Sequence, residues 1–314
     1  MRVLVTGGSG FVGSNIVAVL EKHDAEVLAP GHQQLDLTDA PAVADYVQRT
    51  RPDGIVHAAI WNDPAGLTTD RHRAWAGYVG ATRATVDAAN QAHAQVVLVS
   101  TDWVFDGTQG PATEDEPPNP INTYGFLKAA SELVVTERAE RGTVARIAAV
   151  QGVHRARPDT PRAQDAGFGY LAASVADALA AGRTFTVWDG PNLNRLATPV
   201  LATDAAEMIV RALQQGITGT LHCVGKEHVD RVTLARRTAE AFGFDPERIR
   251  TGAPDKHAVG TEPIPEDTRL DGAQTAQRLQ IQLPDLDTIL ARLAAAMPRG
   301  WPPRSPCSAP SSSG

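Results

Sequence analysis

Apolar positions in the first half of the chain fall into short, wholly hydrophobic runs separated by longer stretches with helical spacing. Val3-Leu4-Val5, Glu26-Val27-Leu28-Ala29, Gly54-Ile55-Val56-His57-Ala58, Val96-Val97-Leu98-Val99-Ser100 and Val144-Ala145-Arg146-Ile147 read as buried strands. Residues 9–22, 40–49, 74–94 and 124–141 read as the helices between and after them. Strands alternating with helices of this length require βαβ crossovers, which build a parallel sheet covered on both faces. Gln34-Leu35-Asp36-Leu37 is a short extra strand candidate, and Thr38-Asp39 supplies N-capping chemistry for the helix that follows.

After Gly152 the pattern changes. Residues 154–167 are polar and rich in Pro and Arg, and read as a long loop. A helix at 170–181, a strand at 184–188, a turn at 189–194, a helix at 203–214, a strand at 220–224 and helices at 233–242 and 286–297 follow. The expected fold is α/β: a doubly wound parallel sheet of Rossmann type over residues 1–152, rejoined by about 196–224, with a smaller C-terminal substrate-binding domain from 153–195 and 225–297. Residues 298–314 contain five prolines and five serines and read as a disordered tail.

Composition narrows the function classes. The 314 residues fit one large or two modest domains, and 42% hydrophobic with 21% charged residues is an ordinary globular mixture. Acids outnumber bases 36 to 29 and no basic run occurs, which argues against a nucleic-acid binder, because such a protein needs cations to displace phosphate counterions. No apolar run approaches the ~18–20 residues that span a bilayer, and Val3-Leu4-Val5 meets Gly7 too soon for a signal-peptide core. Cys223 and Cys307 make neither a metal-spaced cluster nor a disulfide framework. The expectation is a soluble protein of a reducing compartment, the cytoplasm by default, with no metal site.

Glycines at 7, 10 and 13 follow the first strand directly, in Thr6-Gly7-Gly8-Ser9-Gly10-Phe11-Val12-Gly13. The first permits a tight turn, the second a close approach of pyrophosphate, the third close helix–sheet packing, and the helix N-terminus then faces the anion. The second strand ends Ala29-Pro30-Gly31-His32 without the acid that would accept the 2′-hydroxyl of NAD. NADP is therefore the preferred cofactor and NAD the alternative, with Arg2 and His32 as candidate partners for the 2′-phosphate. Asp36 either faces the adenine or serves a turn.

Tyr124 and Lys128 stand four apart, on one face of a helix. A phenol with a pKa of roughly 10 is a poor base but a usable acid, and a nearby ammonium is expected to bring it toward the working pH. The phenol can then give its proton to an oxygen that gains a hydride. Thr101 closes the preceding strand, where open parallel sheets bind ligands, and its hydroxyl can hold the same oxygen.

With these motifs the sequence resembles the extended short-chain dehydrogenase/reductases, and within them the dTDP-4-dehydrorhamnose reductase family. The matching stretches are 3–13, 34–39, 51–59, 114–128, 195–204, 219–225 and Ser100-Thr101-Asp102-Trp103-Val104-Phe105-Asp106-Gly107; Glu132 and Arg146 also fit. The resemblance implies a Thr101–Tyr124–Lys128 triad, with Lys128 also on the nicotinamide ribose. It implies cofactor contacts at Gly7, Gly10, Phe11, Val12, Gly13, Asp36, Leu37, Ala58 and Ala59. It places Asp102 and Trp103 in the sugar pocket and Arg195 on the substrate diphosphate, with a surface arginine as the other reading. The implied reaction is NAD(P)H-dependent reduction of the 4-keto group of a nucleotide-linked 6-deoxyhexose. The alternatives are an epimerase or dehydratase of the same fold, or a non-catalytic regulatory subunit; a homodimer is left open.

Departures from the family pattern sit on the substrate side. Trp103 replaces a tyrosine, Leu127 a Ser or Thr, Ala149 and Gln151 stand where an aromatic pair is common, and Trp61-Asn62-Asp63-Pro64 replaces an acidic-basic loop. Asn15 replaces the glutamate of a magnesium-linked branch, so no metal is carried over. The altered wall fits a deoxysugar related to rhamnose. His57 reads as a hydrogen-bonded core residue, Trp188 as a strand-end core residue, and Asp106 and Glu114 to Glu116 as solvated or capping acids.

Overall fold

The computed structural model describes residues 1–63, 65–158, 163–254 and 260–297; the tail expected at 298–314 lies outside them. The main sheet contains β1 (Arg2–Thr6), β2 (Glu26–Leu28), β3 (Gly54–His57), β4 (Gln95–Thr101), β5 (Gly142–Ile147) and β6 (Gly219–His222). Their spatial order is β6-β5-β4-β3-β1-β2, and every pairing is parallel. Strand order reverses between β1 and β3, which opens a crevice beyond their carboxyl ends.

Side-chain alternation along each strand builds two cores from one sheet. Val3, Val5, Val56 and Val97 face helices Phe11–Lys22 and Ala202–Gln215, packing against Ile16, Leu20 and Ile209. Leu4, Ile55, Val96 and Leu98 face helices Ala40–Thr50 and Ala81–Gln91, packing against Val43, Val47 and Val86. Both faces are dry, so the strands carry the continuous apolar runs that made them legible. A third core joins helices Leu171–Ala180, Arg231–Ala241 and Leu286–Ala296 through Leu171, Val175, Leu234 and Leu290. Two small sheets flank it: Phe185–Trp188 with Ile249–Gly252, and Leu196–Ala197 between Val229–Asp230 and Asp267–Thr268.

One expectation needs correction and another adjustment. Residues 34–37 form turns and irregular backbone in place of a strand. Leu35 enters the core and Leu37 packs against its edge, while Asp36 Oδ1 accepts from the Thr38 backbone N–H at 2.9 Å and its hydroxyl at 2.7 Å; such local bonds compete with a strand ladder. The helix expected at 74–94 is present but begins earlier and holds one wide turn: it runs unbroken through Arg71–Trp75, the wide turn Ala76–Gly80 and Ala81–Gln91, preceded by a short helix Gly66–Thr69. The wide turn lies where Gly77 meets Trp61: a Cβ on Gly77 would stand 2.9 Å from the Trp61 Cβ. The expected cap at Asp39 is present, with Ala42 N–H donating to Oδ1 at 3.1 Å. Among the described residues no helix is long and apolar enough to cross a membrane.

Candidate active site

A cleft of 790 Å³ lies beyond the carboxyl ends of β1 and β3. Gly7, Gly10, Phe11, Val12 and Gly13 line one wall; Asp36, Leu37, Ala58 and Ala59 also line the cleft. Gly7 adopts φ 71°, and a Cβ there would lie 2.7 Å from Ala59 Cα. A Cβ on Gly13 would lie 2.1 Å from the Gly7 carbonyl oxygen. The turn therefore approaches its neighbours too closely for side chains. Helix Phe11–Lys22 starts at Gly10 with no side-chain cap and no acid in its first turn, leaving its positive end for an anion. These residues fit a dinucleotide pyrophosphate.

At the end of the cleft formed by Pro30, Gly31 and His32, the candidacy of Arg2 fails. Its guanidinium pairs with Glu26 at 2.9 Å and donates to the Thr50 carbonyl at 2.8 Å, and Arg2 does not line the cleft. Asp36 lines the cleft and also makes its turn, its carboxyl held below the usual range by the Thr38 hydrogen bonds. Arg73 and Arg157, which no motif singled out, also face the cleft; Arg73 stacks over the Trp61 ring at 5.0 Å.

Thr101 ends β4 and caps the turn Asp102–Val104, accepting from Trp103 N–H at 3.3 Å. Helix Thr123–Arg138 starts at Asn122, whose side chain accepts from Gly125 N–H at 2.8 Å. A Cβ on Gly125 would stand 2.1 Å from the Trp103 carbonyl oxygen. That missing side chain lets the helix sit directly on the Asp102–Val104 turn, which brings Tyr124 beside Thr101. The Tyr124 ring meets Trp103 at 6.0 Å and Tyr78 at 6.2 Å, both edge-on. Lys128, one turn on, is buried and donates to the Val99 carbonyl at 2.6 Å.

The electrostatics differ from expectation. Burial, followed by the charge of Asp102, pushes the Tyr124 phenol up to about 12. Lys128 itself donates to the Val99 carbonyl, and burial lowers it to about 8. His57, buried and beside Lys128, falls to about 3; its Nδ1 lies 2.8 Å from the Thr6 hydroxyl. It is a neutral, bonded core imidazole.

Asp102 is not a free sugar ligand. It is buried, Oδ1 accepts from Thr101 at 3.0 Å, and Oδ2 accepts from Thr268 at 2.5 Å. Trp103 is half-buried against Gly167, where a Cβ would lie 3.2 Å from the indole. Arg195 lies outside the cleft lining, as do Thr101, Asp102, Trp103, Tyr124 and Lys128, and its exposed guanidinium is 3.3 Å from Glu266 and 3.9 Å from Asp189. Below the site, Arg146 holds Glu132 through Nη2 at 2.8 Å, and the Ser100 hydroxyl donates to the same carboxylate at 2.5 Å. Asn15 tethers the Phe11 and Val153 carbonyls at 2.9 and 3.1 Å. No group of three or more potential metal ligands occurs among the described residues.

Sheet topology, glycine turn and the pairing of Thr101 with a Tyr–Lys helix are those of the extended short-chain dehydrogenase/reductases. Within that class the chain belongs to the family described as RmlD substrate binding domain, whose model matches residues 1–298. The dTDP-4-keto-6-deoxy-D-glucose reductase of Streptomyces niveus is 30% identical over 262 residues, covering 82% of this chain and 85% of its own length. Methionine adenosyltransferase 2 subunit beta of Xenopus tropicalis is 28% identical, covering 86% of this chain and 80% of its own. The fold matches that of a Bacillus anthracis dTDP-4-dehydrorhamnose reductase crystallised with NADP, at TM-score 0.78 and 20% identity over 93% of this chain and 98% of that one.

Proposed function

We propose that the protein is an NAD(P)H-dependent reductase of the 4-keto group of a nucleotide-linked 6-deoxyhexose. The observation that carries this reading is the Tyr124 ring held edge-on between Trp103 and Tyr78, with its phenol beside Thr101 at the end of β4. A phenol near 12 holds its proton across the neutral range and donates it to an oxygen whose basicity rises in the transition state. A reduced nicotinamide cofactor, bound along Gly7, Gly10 and Gly13, would supply the hydride. The chain's own residues do the rest. Ala58 and Ala59 adjoin the glycine turn with small side chains, Thr101 contacts the phenol, and Lys128 keeps an ammonium one helical turn on. Trp103 and the backbone at Gly167 close the sugar side, with the C-terminal helices as the sugar-binding unit.

NADP is favoured over NAD by the acid-free end of β2 and by His32, Arg73 and Arg157 in the cleft. The test is oxidation of NADPH and NADH against dTDP-4-keto-6-deoxyglucose and its relatives, with product NMR for the C4 configuration. Tyr124→Phe should lower turnover by about 10²–10⁴-fold with NADPH affinity kept. Parent-like turnover by that variant would defeat the reading. The relatedness to methionine adenosyltransferase subunits supports a second reading, a regulatory subunit; a stoichiometric enzyme partner without any ketone reduction would favour it.

A further inference from the structure

A segment late in the chain reaches both catalytic elements. Glu262 accepts from the Thr123 backbone N–H at 3.1 Å, at the first turn of the Tyr124 helix, and Asn122 donates to the Pro263 carbonyl at 3.0 Å. Five residues on from Pro263, Thr268 donates to Asp102 Oδ2 at 2.5 Å, while Asn194 Nδ2 donates to Thr268 at 2.6 Å. Asn194, Thr268, Asp102 and Thr101 are all buried. They form one directional chain: amide to hydroxyl, hydroxyl to carboxylate, and the Thr101 hydroxyl into the carboxylate's other oxygen at 3.0 Å.

The bond directions follow from the groups. An ionised carboxylate only accepts, so each threonine must spend its single hydrogen on it. Thr268 then needs a donor to its own oxygen, and Asn194 supplies one. Thr101 has its hydrogen committed, so the oxygen it keeps beside the Tyr124 phenol is placed by Asp102.

We propose that Thr268 is a positioning residue for ketone reduction, acting through Asp102 to fix the orientation of the Thr101 hydroxyl. The inference rests on the ketoreductase reading above and assigns Asp102 to this bridge. Because Thr268 belongs to the strand Asp267–Thr268 beside Leu196–Ala197, the C-terminal part of the chain sets the geometry of a catalytic hydroxyl on β4.

Ionised Asp102 accepts two bonds; protonated, one oxygen becomes a donor and the arrangement breaks. Burial raises this carboxyl to about 6, and the Thr268 bond works in the opposite direction. Tyr124 feels its charge, and what acts on the carboxyl besides burial is its hydrogen bonds to Thr268, Thr101 and the backbone of Asp102 and Trp103.

The experiment compares Thr268→Val, Thr268→Ala and Thr268→Ser with the parent, using the full chain, NADPH and a 4-keto-6-deoxy nucleotide sugar. Val and Ala should each lower kcat by about ten-fold or more, the worth of a hydrogen bond to a charged group. NADPH affinity, read by fluorescence titration, should be unchanged, and the acid limb of the kcat profile should move to higher pH. Ser should restore both kcat and the limb. Val or Ala variants with parental kcat and limb would overturn the inference, as would a Ser variant no better than Val. A parent that reduces no sugar ketone sinks the ketoreductase reading and this inference with it, whereas an active parent with indifferent variants sinks this inference alone.

Discussion

Gly125→Ala is the sharpest perturbation of the site. The added methyl would begin 2.1 Å from the Trp103 carbonyl oxygen and 3.1 Å from its carbonyl carbon, with Pro120 Cβ at 3.0 Å on the other side. Ordinary contact starts near 3.4 Å, so relief requires a displacement of about 1 Å or more. The backbone oxygen cannot rotate away as a flexible side chain would, and Pro120 is also in close contact. The helix Thr123–Arg138 must lift from the Asp102–Val104 turn, which separates Tyr124 from Thr101. A misplacement of roughly 1 Å costs about 10²-fold in rate, and overpacking costs about 1–3 kcal/mol of stability. The expected result is kcat about 10²-fold down with NADPH affinity within error of the parent, because the glycine turn after β1 is untouched. Steady-state NADPH oxidation, fluorescence titration and a urea melt read the three quantities. Gly260→Ala is the control, since a Cβ there meets nothing within 4 Å. A folded Gly125→Ala protein with parental kcat would refute the claim that this contact sets the catalytic distance.

Lys128, lowered to about 8 by burial, carries its charge below that pH and loses it above, so kcat for reduction should fall as pH rises through about 8; a flat profile from pH 7 to 9.5 would show that the ammonium is not needed. Glu132→Ala should leave Arg146 charged and unpaired in the core, where the two side chains are 5% and 3% exposed. Breaking such a pair costs about 3–5 kcal/mol, to be read as a fall in the urea midpoint.

The central strands of the main sheet were legible because both of its faces are covered there, so each carries a run of apolar residues. Gln34-Leu35-Asp36-Leu37 misled for the complementary reason. Its alternation comes from one buried leucine beside a turn-forming aspartate, which imitates a half-buried strand over four residues. The wide turn at Ala76–Gly80 was hidden because its side chains keep helical spacing while the backbone yields to Trp61. In the site, motif spacing picked out Tyr124, Lys128 and Thr101, yet it misjudged what the phenol feels. Spacing places the ammonium one turn away but cannot show that Val99 holds it, or that a buried carboxylate lies nearer in effect. Gly125 stood inside the Tyr–Lys motif without a role of its own, and Thr268 carried no motif at all. Both act through contacts with residues remote in sequence, which local pattern does not encode.

The same electrostatics bear on the direction of chemistry. An epimerase of this fold must first remove a hydride from a sugar carbinol, which needs Tyr124 as a base. Here burial and the neighbouring Asp102 oppose the phenolate, because two negative charges would share a dry site. Ketone reduction begins from the neutral phenol and ends by passing its proton on, so the charge is created only as the keto oxygen becomes able to accept it. Removing the Asp102 charge should then ease the phenolate and raise oxidation of the product alcohol relative to reduction of the ketone. Asp102→Asn removes that charge and also turns one acceptor of the Thr101–Thr268 bridge into an amide donor, so both kcat values fall together and the ratio of reverse to forward kcat at fixed pH separates the charge from that common loss. A ratio unchanged or lowered by the substitution would show that the carboxylate does not bias the phenol toward proton donation.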